Sequence, residues 1–160
     1  MTSATLILLG HTLGLTASGD ALTRCKWTHG NAPSPESSEK DEDESGIIRE
    51  AERQLQEYAE GKRRRFDVPV RPEGSEFQMK VWDQLRRIPY GETVTYGELA
   101  RRVGNSRAFR AVANACGANP LPIIIPCHRV VAAGGKPGGY TGGLAIKLAL
   151  LEIEKQNRRQ

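Results

Sequence analysis

One stretch of this chain carries the residue types of nucleophilic chemistry at close spacing. Pro126-Cys127-His128-Arg129-Val130 sets a thiol beside an imidazole and a guanidinium. A free thiol titrates near ~8.5 and is a weak nucleophile until a base or a positive charge favours the thiolate. His128 is the nearest base. Neighbouring side chains on an extended backbone point to opposite sides, so His128 is expected to reach the Cys127 thiol through a bridging water. Such a relay needs a third group to orient the imidazole. The last predicted helix offers Glu152 and Glu154, and the pattern alone does not choose between them. The bland alternative is a small buried thiol next to a satisfied core histidine. Cys25, Cys116 and Cys127 form an odd set without CxxC spacing, which predicts a reducing compartment. His11, His29 and His128 stand at no finger-like distance from a cysteine pair, so no metal is expected.

The elements around that motif must position it. Ile123-Ile124-Ile125 is a fully apolar β-branched run that predicts a buried strand leading into Cys127. Ser75-Glu76-Phe77-Gln78 is a capping box and predicts a helix to about Arg87, with Phe77, Val81 and Leu85 as its buried stripe. Pro89-Tyr90-Gly91 ends it. A second box, Thr95-Tyr96-Gly97-Glu98, opens a short helix to Val103. Gly104-Asn105 then turns the chain into a third helix from Ser106 to Cys116. Two short helices joined by a tight Gly turn are a helix-turn-helix, whose second member meets DNA. That member carries Arg107 and Arg110 on one side and Phe109, Val112, Ala113 and Cys116 on the other. A last helix is predicted from about Gly143 to Gln156.

The first half reads as strands Thr5 to Leu9, Leu13 to Ala17 and Ala21 to Trp27, a small meander. The Pro-, Ser- and acid-rich stretch Gly30 to Ser45 is expected to be a mobile surface loop. An amphipathic helix follows over Gly46 to Glu60, and then an extended linker over Lys62 to Pro72. Two domains are therefore expected, 1–71 and 73–160. Residues 1 to 71 hold 10 Lys+Arg and 12 Asp+Glu (net −2), whereas residues 72 to 160 hold 13 and 7 (net +6). A basic domain beside a near-neutral one hints at a polyanion partner, although a solvated surface explains it too. The apolar run Leu6 to Leu9 is too short to cross a bilayer and no basic segment precedes it, so a soluble intracellular protein without membrane contact is expected.

The motif and its surroundings together resemble the O6-alkylguanine-DNA alkyltransferase (methylated-DNA–protein-cysteine methyltransferase) family. The likeness rests on Pro126 to Val130, on Tyr96-Gly97-Glu98-Leu99-Ala100, Arg110-Ala111-Val112 and Asn119-Pro120, and on Gly139-Tyr140-Thr141-Gly142-Gly143 and Lys147. It spans about Gly74 to Lys155 and is weak over residues 1 to 71. The resemblance implies an α/β N-terminal domain, a small antiparallel sheet plus a helix that is RNase H-like by analogy. A mostly α, winged helix-turn-helix C-terminal domain follows.

It also implies roles. Cys127 is the alkyl acceptor, linked through water to His128 and Glu154. Asn119 braces the turn, and Tyr96 crowds the 3′ phosphate and donates a proton. Tyr140, Thr141, Gly142, Val130 and Lys147 belong to the substrate pocket, with the carbonyls of Cys127 and Val130 toward the exocyclic amine. Arg110, as a finger into the base stack, together with Tyr96, Arg107 and Ala111 forms the DNA-binding set. Thr141 often stands as Ser in the family, whereas Phe109 and Cys116 replace small or varied residues and change the DNA fit. The implied activity is direct repair of double-stranded DNA containing O6-alkylguanine, bound through the minor groove. Transfer is irreversible and single-turnover, without a cofactor. A monomer off DNA is expected, cytoplasmic and nucleoid-associated in a prokaryote or nuclear in a eukaryote. Rival readings are a non-catalytic alkyltransferase-like lesion binder, a winged-helix regulator and a thiol hydrolase. The first lacks an acceptor cysteine, the second leaves Pro126 to Val130 unexplained, and the third lacks a distant His and Asn/Asp arrangement.

Overall fold

The structure, a computed structural model, describes residues 1–28 and 46–158. It divides into two compact units, Met1–Pro72 and Glu73–Gln160. In the first, β1 (Thr2–Leu8), β2 (His11–Ser18) and β3 (Ala21–Thr28) pair antiparallel in sequence order. Period-2 alternation puts Leu13, Leu15 and Ala17 of β2 on the buried face. A bulge between Thr16 and Ala17 resets the register, so that Leu22, opposite Ala17, is buried together with Cys25 and Trp27. Helix α1 (Ile47–Ala59) supplies Ile47, Ile48, Ala51, Leu55 and Tyr58 to the same core. The acid-rich stretch expected as a loop over 30–45 lies outside the described residues.

The segment expected as a plain linker is tied down. The Leu22 amide donates to the Pro69 carbonyl (2.8 Å) and the Arg71 amide donates to the Leu22 carbonyl (2.9 Å), extending the sheet beyond β3. Buried Gln54 of α1 accepts from the amides of Asp67 (3.0 Å) and Val68 (3.3 Å), so Val68 is held in the core.

The second unit holds α2 (Glu76–Arg86), β4 (Val94–Thr95), α3 (Tyr96–Arg102), α4 (Phe109–Gly117), β5 (Val130–Val131) and α5 (Leu144–Asn157). Strands β4 and β5 form a two-stranded parallel ladder. The capping box of α2 is complete: Gln78 N–H donates to Ser75 Oγ (3.1 Å) and Ser75 N–H to Gln78 Oε1 (2.9 Å). Its buried side chains are Val81, Trp82 and Leu85, while Phe77 is only partly covered. Trp82 reaches α4 by donating Nε1–H to the Ala115 carbonyl at 2.8 Å.

Three local expectations change. Thr95 caps α3 by accepting from Glu98 N–H (3.1 Å), but the Glu98 carboxylate is taken by Arg101 (2.5 Å) and Arg102 (3.4 Å) instead of closing a box. Helix α4 starts at Phe109, not Ser106. Asn105 accepts from Arg107 N–H at its side chain (3.1 Å) and from Ala108 N–H at its carbonyl (3.0 Å), a turn that competes with helix and leaves Arg107 ahead of it. The run Ile123-Ile124-Ile125 is buried but is not a strand. Ile125 N–H bonds back to the Leu121 carbonyl (2.8 Å), and Ile123 adopts φ 75°, so the chain coils there and strand pairing waits until Val130.

Candidate active site

Cys127, His128 and Arg129 form one turn of 3₁₀ helix, fixed by Cys127 N–H to the Ile125 carbonyl (2.8 Å) and Arg129 N–H to the Pro126 carbonyl (3.0 Å). This replaces the extended geometry expected at the motif. With about three residues per turn, successive side chains diverge by roughly a third of a circle. Cys127 faces a pocket, while His128 and Arg129 both engage Glu154. The turn is braced upstream by Asn119, whose amide donates to the Ile125 carbonyl (2.8 Å) and whose side-chain oxygen accepts from Leu121 N–H (2.9 Å).

Glu154, 1% exposed, is the carboxylate of the site. It meets His128 Nε2 at 2.5 Å, Arg129 Nε at 2.8 Å and Nη2 at 3.2 Å, and Gly91 N–H at 3.0 Å. Arg129 also donates Nη1–H to the Ile88 carbonyl at 2.7 Å. Gly91 stands at φ +80°, where a side chain would be strained. Glu152 is exposed and bonded to Gln156. Arg129 and the Ile88 to Gly91 corner were not singled out as functional in the sequence. The signal available was the Arg inside the motif and the chain break at Pro89.

Burial alone opposes a charge on Glu154, but the hydrogen bonds and charges of His128 and Arg129 outweigh it and hold the carboxyl at about 2. Burial pulls His128 below its ordinary value, against the pull of Glu154, with Arg129 and Lys147 adding to the fall. The permanent guanidinium balances the carboxylate, so the imidazole is neutral. A carboxylate can only accept, so His128 carries its proton on Nε2 and its basic lone pair on Nδ1. Burial raises the Cys127 thiol, opposed by hydrogen bonding from Asn119 and the charge of Lys147. At rest Cys127 is therefore a neutral thiol.

The pocket has a volume of about 400 Å³, in the range of small-molecule sites. Cys127, Tyr96, Tyr140 and Thr141 line it, and Phe109, Ala113, Cys116 and Gly117 of α4 form one wall. The Tyr96 phenol is raised chiefly by burial and takes a backbone hydrogen bond from Gly139. A Cβ at Gly138 would stand 3.2 Å from the Tyr96 ring at φ +74°, so glycine lets the loop close over the tyrosine. Thr141 anchors the loop through its side chain, donating Oγ–H to the Gly117 carbonyl at 3.1 Å.

Lys147 is buried behind the wall and donates to the carbonyls of Val130 (2.7 Å) and Gly139 (3.0 Å), tying β5 to the loop. Lys147, Val130 and buried Gly142 do not themselves line the pocket. Arg110 and Ala111 are exposed on α4 and Arg107 is exposed before it, all outside the pocket wall. Among the described residues no His, Cys, Asp and Glu group has a metal-holding arrangement, and no helix is long and apolar enough to cross a membrane.

The family model described as 6-O-methylguanine DNA methyltransferase, DNA binding domain, matches residues 76–156. A methylated-DNA–protein-cysteine methyltransferase of Methanosarcina acetivorans is 55% identical over 108 residues, which are 68% of this chain and 69% of that protein. The crystal structure of Mycobacterium tuberculosis O6-methylguanine methyltransferase is similar with a TM-score of 0.84 and 41% identity, covering 98% of this chain and 93% of that one. Mycobacterium tuberculosis OGT in complex with DNA gives 0.83 and 39%, covering 97% and 93%.

Proposed function

This chain belongs to the 6-O-methylguanine DNA methyltransferase family, and from that premise we infer that it repairs DNA by moving an alkyl group from guanine O6 to Cys127. It is a methylated-DNA–protein-cysteine methyltransferase. The observation that carries the assignment is a thiol facing a pocket of about 400 Å³, one residue from an imidazole held 2.5 Å from a buried carboxylate. A non-catalytic lesion binder is disfavoured because the acceptor thiol is present. We read the first unit as the RNase H-like α/β domain by analogy, and the second as a winged helix-turn-helix that binds duplex DNA in the minor groove as a monomer. The expected compartment is the cytoplasm in a prokaryote or the nucleus in a eukaryote.

In a duplex the lesion is out of reach, so the base must leave the stack at a cost of a few kcal/mol. Arg110 fills the vacated place, Tyr96 crowds the 3′ phosphate, Arg107 adds a phosphate contact, and the small Ala111 lets α4 approach the groove. The buried Cys127 thiol loses its proton as it attacks. His128 Nδ1 takes that proton through water, and Glu154 stabilises the imidazolium. The S–C bond forms as the C–O6 bond breaks, and the proton delivered to guanine N1 comes from Tyr96, a phenol kept neutral by burial. The Thr141 N–H donates to O6, Tyr140 lines the base and the Cys127 carbonyl is directed to the exocyclic amine, while Val130, its carbonyl bonded to Lys147, acts with Lys147 and Gly142 to hold that wall in place. A neutral thioether remains, which no group of the site can cleave, so each molecule acts once and needs no cofactor. Incubation with labelled O6-benzylguanine followed by peptide mapping tests this. Covalent label on Cys127 is expected, and its absence overturns the assignment.

A further inference from the structure

Cys127 shares its pocket with a second thiol. Cys116, 7% exposed, lines the same cavity from α4, on the helix face that also presents Phe109 and Ala113. Tyr96 lines the same pocket as both thiols, and either sulfur, once ionised, would raise the Tyr96 phenol and the Lys147 ammonium. Transfer of a simple alkyl group uses one sulfur and leaves Cys116 without a part.

We propose that Cys116 is a second nucleophile of the pocket, which captures alkyl groups that bring their own leaving group: a 2-haloethyl group moved to Cys127 is closed onto Cys116 as an ethylene-bridged dithioether. The proposal rests on Cys127 being the acceptor. In the first step C–O6 breaks and C–S forms, leaving a 2-haloethyl thioether on Cys127. The thioether sulfur then uses its lone pair to displace the halide, giving a three-membered episulfonium. Cys116 attacks one ring carbon, the C–S⁺ bond reopens to the neutral Cys127 thioether, and the Cys116 proton leaves to water at the pocket mouth. The balance is loss of hydrogen halide, with no oxidant or reductant.

What favours closure is that both thiols line one pocket. Burial chiefly, and next the charge that Cys127 would carry as a thiolate, hold the Cys116 thiol at about 12, while Lys147 pulls it down. Cys127 is neutral before transfer and neutral after it, so alkylation adds no charge that would hinder Cys116, and the group carried by Cys127 stands in the pocket that Cys116 lines. Tethering in one pocket makes the attack intramolecular, and effective concentrations for well-aligned groups reach about 10⁵–10⁸ M, which lets a mostly protonated thiol compete with water. An ethylene bridge also spans a wider sulfur separation than the ~2 Å of a disulfide.

The test is peptide mapping of the full chain after reaction with a freshly chloroethylated, repurified duplex, beside one containing O6-methylguanine. The expected result is a chlorine-free cross-link between the Cys116 and Cys127 peptides in most alkylated chains, against a methyl on Cys127 alone from the second duplex. Cys116→Ser should carry an open chloroethyl or hydroxyethyl group on Cys127 and no cross-link. An open hydroxyethyl group on Cys127 with Cys116 unmodified in the parent, or closure onto Lys147, overturns the proposal. Absence of any label on Cys127 from both duplexes overturns the acceptor reading instead.

Discussion

Arg129 decides what His128 can do. With the guanidinium gone, the buried carboxylate of Glu154 would hold a proton or draw one onto the imidazole, and a protonated His128 cannot serve as a base. Side chains at 8% and 2% exposure make this a buried pair, so Arg129→Met is expected to cost about 3–5 kcal/mol in chemical denaturation. An unchanged midpoint would contradict that. The same triad sets the acid response. Glu154 is depressed from 4.5 to about 2, so its stabilisation is complete above pH 4.5 and lost as pH falls toward 2. His128 is also depressed, so the unfolded chain takes up its proton first and stability falls below about pH 6.5 as well. The melting temperature should therefore decline from pH 7 to pH 3, and Glu154→Gln should flatten the part below pH 4.5. Parallel curves for parent and variant would remove Glu154 from the account. In the reaction, Cys127→Ala should abolish transfer and keep binding to methylated duplex. Cys25→Ser should keep transfer, since burial alone raises that thiol within the other unit.

Between residue and fold lies the turn from Asn119 to Cys127, which aims the thiol. Two hydrogen bonds from one Asn side chain and a β-branched residue at φ 75° define it. Left-handed backbone at Ile123 stores roughly 1–3 kcal/mol, held by burial of the three isoleucines. Asn119→Ala should lower stability by about 1–3 kcal/mol and slow transfer beyond what its unfolded fraction explains, measured well below the melting temperature. Full activity in that variant would show that the turn holds itself. This is also where the sequence misled. A run of three isoleucines reads alike as a buried strand or a buried coil, because periodicity is silent when every residue is apolar. Helix starts were legible where a cap was written into the sequence, as at Ser75 and Thr95. The start of α4 was not, because Asn105 spends its side chain on the turn before it. Glu154 could have been separated from Glu152 on spacing, since Ile146, Leu150 and Glu154 step by four along the buried face of α5. The corner from Ile88 to Gly91 shows in the sequence only as a chain break at Pro89, and its partner Glu154, 63 residues from Gly91, is not legible there.

At the scale of the molecule, charge is unevenly shared: residues 72 to 160 carry net +6 and residues 1 to 71 net −2. DNA binding should weaken steeply with salt. Arg107→Ala should lower duplex affinity and flatten that slope by about one counterion. Arg110→Ala should lose far more transfer from duplex than from free O6-benzylguanine, which needs no extrusion, and equal losses on both would show that Arg110 supports the fold or the pocket. The central claim is that the chain itself is the methyl acceptor, at one sulfur, once. It is tested most directly by titrating the protein with excess duplex containing O6-methylguanine and weighing the intact chain and its peptides. The prediction is one methyl per molecule, on the peptide of Cys127, with demethylated DNA formed in equal amount and no further turnover. Demethylated DNA in excess of protein, or a methyl on any other residue, would contradict the account.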